Sequence, residues 1–142
     1  MELVGALLKP RPTTYRGIQM RSRMEAHFAA DLDAAGLDWE YEPRAYGGPK
    51  GQWLPDFVVH RKGMPDTFIE VKPTEQHAID AVDRVCVIFD SEPGSPAVIF
   101  WPGEPEEGWV GGSRRRWRSV WLTKDWGIGM PTEARPLGGF DA

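Results

Sequence analysis

Apolar residues first recur with a helical period between about Arg16 and Ala35. There Met20, Met24, Phe28, Leu32 and Ala35 follow one another at steps of three and four, and Gly36 stands where a helix C-cap is expected. The period then changes to two. Leu37, Trp39 and Tyr41 alternate with Asp38, Glu40 and Glu42, which predicts a strand over Leu37–Pro43. Arg44–Gly51 carries glycine and proline and reads as a loop. Two strand-like runs follow, Trp53–His60 and Thr67–Lys72, both rich in β-branched and aromatic residues, with a turn at Lys62–Asp66 between them. Pro73 stops the second run, and Thr74 and Glu75 open a second helix with an apolar stripe of Ile79, Val82, Val85, Cys86 and Phe89. After a turn at Glu92–Pro96, Ala97–Trp101 is wholly apolar and suits a central strand covered on both faces.

The ends of the chain carry weaker patterns. Met1–Thr14 reads as an arm or edge strand, and Arg118–Leu122 as a final strand or short helix within the Trp- and Arg-rich stretch Ser113–Trp126. From Gly127 onward glycine and proline dominate, which predicts a poorly ordered tail over 127–142. The order of the main elements is αβββαβ. It implies an α/β (α+β) fold, a mixed sheet flanked by helices, in one domain spanning 1–126.

Composition narrows the classes. A chain of 142 residues is long enough for one domain with a proper core. Its apolar runs are far shorter than the ~18 residues of a membrane span, and nothing in it resembles a secretory signal. Cys86 is the only cysteine, which excludes an internal disulfide and a cysteine-based zinc site and fits a cytoplasmic setting. The net charge of −4 speaks against indiscriminate nucleic-acid binding, but the charges are unevenly placed. Arg11, Arg16, Arg21 and Arg23 cluster early, and Arg114, Arg115, Arg116 and Arg118 cluster late.

The chemistry concentrates in QWLPDFVVHRKGMPDTFIEVKPT, residues 52–74. Asp56 interrupts the first apolar run, and Glu70 and Lys72 interrupt the second. Alternate strand residues share a face, so Glu70 and Lys72 point one way while Ile69 and Val71 point the other. Pairing the runs as a hairpin brings Asp56 beside Glu70. Two buried carboxylates repel unless they share a proton or a cation, and hard oxygen donors without His or Cys suit Mg²⁺ or Mn²⁺. The plain structural alternative is a Glu70–Lys72 salt-bridge ladder on a solvated face, of a kind that stabilises by ~0.2–1 kcal/mol. The apolar neighbours Phe57, Val58, Phe68, Ile69 and Val71 argue against it. Glu25, beside the Met24–Phe28–Leu32 stripe, reads on its own as a surface partner of Arg21. Glu42 and Gln76 are minor candidates, and His27, His60 and His77 lack a metal-ligand spacing. Arg114–Arg118 with Trp117 has the composition of a nucleic-acid contact, Arg for phosphate and Trp for stacking.

Glu25 on a first helix, Pro55-Asp56 on a strand and Glu70-Val71-Lys72 on the next strand resemble the PD-(D/E)XK nuclease superfamily over roughly residues 16–101. Within it, YRGIQMRSRMEAHF and WEYEP look like small phage-encoded nucleases. The order of the four residues is similar to that of phage junction-resolving endonucleases, and IEVKP resembles the endonuclease subunits of cut-and-paste transposons. The resemblance implies a restriction-endonuclease-like core and Mg²⁺- or Mn²⁺-dependent hydrolysis of DNA. Asp56, Glu70 and the Val71 carbonyl would ligate the metal, Lys72 would act on the attacking water or the phosphate, and Glu25 would hold a metal-bound water or second ion. Arg16, Arg21, Arg23, Arg114, Arg115 and Arg116 would contact phosphates. A junction or transposon-end cutter would act as a homodimer, with Met1–Tyr15 as an exchange arm. The rival from another class is a catalytically silent binding module on the same fold.

Overall fold

The computed structural model describes residues 12–103, 117–125 and 127–128. A small hairpin, β1 (Thr13–Tyr15) and β2 (Ile18–Met20), precedes the first helix, α1 (Arg23–Ala34). Strand β3 (Asp38–Tyr41), a second hairpin of β4 (Tyr46–Gly48) and β5 (Gly51–Trp53), and strands β6 (Phe57–His60) and β7 (Thr67–Val71) follow. Helix α2 (Glu75–Val85) and a single turn, α3 (Ile88–Ser91), lead to β8 (Ala97–Pro102), β9 (Trp117–Thr123) and β10 (Gly127–Ile128). The fold is mixed α+β.

One six-stranded sheet runs β10-β9-β8-β7-β6-β3. Strands β3, β6 and β7 form an antiparallel meander, and β8 lies parallel to β7 after the α2 crossover. The period-two pattern of each strand sorts its side chains between two cores. Phe57, Val59, Ile69, Val71, Val98 and Phe100 face Ala26, Phe28, Ala29 and Leu32 of α1. Val58, Phe68, Ala97, Ile99 and Trp101 face Ala78, Ala81, Val85 and Ile88 on the α2–α3 side. Every residue of β7 is buried, as a central strand covered on both faces requires. Phe28 centres the first core, its ring 5.2 Å from Phe57, 4.8 Å from Phe100 and 5.0 Å from Trp117.

Several expectations are corrected. The first helix begins at Arg23, not near Arg16, because Arg16 (φ 51°) and Gly17 (φ 79°) adopt a left-handed turn that closes β1 on β2. Ser22 then caps the helix, its Oγ accepting the Glu25 N–H at 3.1 Å. Met20 is fully buried from the hairpin, so it continued the apolar repeat without being helical. Residues 44–51 are not a plain loop: they supply β4 and the start of β5. Gly47 (φ 138°) makes this hairpin possible, since a Cβ there would lie 2.3 Å from the Gly51 carbonyl oxygen. Trp53 ends β5, so the run expected to start a strand there yields one only from Phe57.

Helix α2 ends at Val85, Cys86 is its C-cap, and its buried face is Ala78, Ala81 and Val85. Ile79, expected in the stripe, is 55 % exposed. Phe89 belongs to α3. Arg118–Leu122 is strand, within β9. Gly127 and Ile128, expected to open the tail, pair with Thr123 and Leu122, and the remainder of that segment lies outside the described residues. No described helix is long and apolar enough to cross a membrane.

Trp117 carries no stacking platform for bases. It is fully buried, and its indole N–H donates to Asp31 Oδ2 at 2.7 Å, tying β9 to α1 across the core. Trp117→Phe keeps most of the ring volume and removes this donor from a buried carboxylate. A loss of about 1–3 kcal/mol is expected, read as a lower urea midpoint with an unchanged denaturant slope.

Candidate active site

The site is built where β6 and β7 separate. Their register ends at the Phe57–Ile69 pair, and one step further lie Asp56 and Glu70. Phe68 and Lys72 donate their N–H groups towards the β8 side, to Pro96 and Phe100, so the intervening peptide groups of β7 turn towards β6. At Val71 the β6 strand no longer supplies an acceptor. The Asp56 side chain does: its Oδ2 accepts the Val71 N–H at 2.8 Å. The Asp56 carbonyl accepts the Glu42 N–H at 2.9 Å, which fixes the residue to the end of β3 as well.

Asp56 is 2 % and Glu70 4 % exposed. Burial, followed by the neighbouring Glu70 carboxylate, holds the Asp56 carboxyl well above the usual carboxylate range. The Arg21 guanidinium, 2.6 Å from Asp56 Oδ1, pulls the other way. Its side chain is 63 % exposed, so solvent screens that field more than it screens the interior repulsion. Glu70 Oε2 accepts from Arg84 of α2 at 2.6 Å and from the Trp53 indole at 3.1 Å. The Glu70–Lys72 ladder is therefore not formed.

Glu25, also buried, approaches from α1. Its Oε1 accepts from the Tyr41 hydroxyl at 3.2 Å and lies 3.4 Å from Ser22 Oγ, and its Oε2 lies 3.4 Å from Arg21. The expected i,i+4 pair with Arg21 is present, yet on a buried and not a solvated face. Arg21 also reaches Glu42, whose Oε1 is 3.3 Å from Nε. Thus one guanidinium links Glu25, Glu42 and Asp56. Lys72 is half-buried at the end of β7 and makes no ion pair among the described residues.

No family model, curated protein or solved structure matches this chain.

Of the expected phosphate contacts, Arg21 lies in the site. Arg16 sits on the β1–β2 turn against Asp33 at 2.9 Å, and Arg23 is exposed in the first turn of α1. Arg114, Arg115 and Arg116 lie outside the described residues. Gln76 pairs with Asp80 along α2, His60 with Asp66 and His77 with Thr74, in ordinary local contacts. Trp53, Tyr41 and Arg84 were not anticipated. In the sequence Trp53 and Tyr41 figure only as strand residues, and Arg84, fourteen positions from its partner, carries no local signal. Only the three-dimensional crossing of α2 over the sheet connects Arg84 to Glu70.

Among the described residues no group of three or more His, Cys, Asp or Glu side chains is placed to hold a metal ion. The donor set nonetheless suits Mg²⁺, which takes one or two carboxylates and keeps several waters. Asp56 and Glu70 supply two hard oxygens, and the Val71 carbonyl shares the β6-facing side of β7. A raised folded pKa on Asp56 means that its stability contribution is full below the ordinary carboxylate pKa and is lost as pH rises through the raised value. Asp56→Asn removes that loss and keeps an amide oxygen to accept the Val71 N–H. In EDTA the variant should match wild type near pH 4 and exceed it at pH 8, measured by urea denaturation. A variant that weakens as pH rises contradicts the assignment.

Proposed function

We propose that this chain is a metal-dependent deoxyribonuclease of the PD-(D/E)XK type, built on a restriction-endonuclease-like core. The observation that carries this reading is the buried Asp56–Glu70 pair at the divergence of β6 and β7, with Lys72 two residues beyond Glu70. Each carboxylate has one arginine partner, Arg21 or Arg84, but both of those side chains are more than half exposed, so two adjacent carboxylates inside the sheet keep a demand for positive charge that a metal ion would meet. The sequence of α1, the β3-β6-β7 meander, α2 and the parallel β8 supports the same assignment, as does the arrival of Glu25 from α1.

In this reading Asp56, Glu70 and the Val71 carbonyl would hold Mg²⁺ or Mn²⁺. The ion, when bound, supplies charge neutralisation for the scissile phosphate and a lowered pKa for the attacking water. Lys72 contributes an ammonium directed at the water or at the negative charge that grows on the phosphate. Its freedom from ion pairs among the described residues leaves that charge uncommitted. Glu25, itself held by Tyr41 and the Ser22 hydroxyl, would hold a metal-bound water or a second ion. Asp56 keeps its direction through the Val71 N–H, so the carboxylate need not reorganise during the reaction.

The test is cleavage of labelled linear duplex, single strand, flap and four-way junction with Mg²⁺, Mn²⁺ or EDTA. Cutting should require the metal, and Lys72→Ala should reduce it by roughly 10²–10⁴-fold with an unchanged circular dichroism spectrum and thermal midpoint. The preferred substrate separates a general nuclease from a junction or transposon-end cutter. Folded protein that binds DNA and cuts none of the four would assign the silent binding module instead.

A further inference from the structure

We infer that Arg21 is the resident counter-cation of this site, displaced from Asp56 when a divalent ion enters and thereby released towards the phosphates of the substrate. The inference rests on the nuclease reading and adds to it a coupling between metal entry and substrate contact.

Three elements converge on this one guanidinium. Asp56 Oδ1, at the start of β6, lies 2.6 Å from it. Glu25 Oε2, from α1, lies at 3.4 Å. Glu42 Oε1, just past β3, lies at 3.3 Å from Nε. Glu42 reaches it from a left-handed backbone conformation, φ 44°, which a glutamate adopts only when its surroundings compel it. The carboxylates of Glu25 and Asp56 are almost wholly buried, but the Arg21 side chain is 63 % exposed. So the anions are fixed and the cation is the movable partner.

Arg21 lies between β2 and the Ser22 cap, and its backbone N–H donates to the Tyr41 hydroxyl at 3.1 Å. The backbone is thereby anchored while the side chain can swing. Asp56 Oδ2 is engaged by the Val71 N–H, which makes Oδ1, the oxygen Arg21 holds, the one presented to an incoming cation. A guanidinium and a divalent ion on the same carboxylate oxygen repel each other strongly at such separation. Occupation by one weakens the other, and the released guanidinium stays within a side chain's length of the site, where a planar fork suits phosphate.

The test is calorimetric titration of the full chain with Mn²⁺, without DNA, for wild type, Arg21→Gln and Arg21→Lys. Arg21→Gln should bind Mn²⁺ roughly 5- to 150-fold more tightly, the usual span of a coupling between two ligands, and Arg21→Lys should stay near wild type. Equal or weaker binding by a folded Arg21→Gln overturns the inference and leaves the nuclease reading standing. Absence of Mn²⁺ binding in wild type and variants overturns both. A measurement on wild type alone guards against a variant that fails to fold. The Arg21 Nε–H resonance should shift on adding Mg²⁺, and an unmoved resonance in Mg²⁺-saturated protein refutes displacement. With Ca²⁺ in place of Mg²⁺, Arg21→Gln should also lower the salt slope of duplex binding by about one, whereas an unchanged slope removes the phosphate half of the inference.

Discussion

At the end of the β6–β7 ladder a side-chain carboxylate takes the place of a backbone acceptor, and much of the molecule is arranged around that exchange. Asp56 closes the Val71 N–H with its side chain, the Glu42 N–H with its carbonyl and the Arg21 guanidinium with its second oxygen. Pro55, buried just before it, has no N–H to offer a ladder. A buried N–H left without an acceptor destabilises a sheet, so the divergence of two central strands needs such a substitute. Here the substitute is ionisable. That choice converts a point of structural closure into a point of high electrostatic demand.

The demand is met from both layers at once. Arg21 comes from the α1 side and Arg84 from α2, each with its side chain more than half exposed while its carboxylate is buried. Trp53 adds an indole donor on the α2 side, and Tyr41 a hydroxyl on the α1 side. The two faces of the sheet are mostly apolar, with Thr67 and Ser119 as buried polar exceptions, and charged groups collect where its central strands part. A site of this kind cannot be assigned to one helix–strand unit. It exists only when both layers have docked.

Strands β3, β7 and β8 were legible in the sequence from alternation or from an unbroken apolar run, whereas the short hairpins β1–β2 and β4–β5 were not. Trp39 and Tyr41 against Asp38 and Glu40, and the unbroken AVIFW of β8, predict both position and degree of burial. The adjacency of Asp56 and Glu70 followed from hairpin register alone. The helix limits were less legible. Met20 occupies a helical phase from a strand, and only the pairing of Arg16 and Gly17 signals the turn. In α2 the buried side is Ala78 and Ala81, whose small side chains carry a weaker apolar signal than the exposed Ile79. Trp117 shows the limit of composition. A tryptophan beside arginines suggests a nucleic-acid surface, and only the meeting with Asp31, 86 residues away in sequence, reveals a core residue. The counter-cations depend on contacts between layers, which no local pattern records.

Strand β3 bounds one side of the six-stranded sheet and turns Trp39 and Tyr41 inward onto Phe57. Its alternate residues, Asp38 and Glu40, are exposed acids. A second copy adding itself antiparallel along this border would set carboxylates against carboxylates, an arrangement that like charges in a sheet resist. Extension of the sheet along β3 by a second copy is therefore disfavoured, and any pairing of copies that the chemistry calls for has to avoid the backbone of that strand.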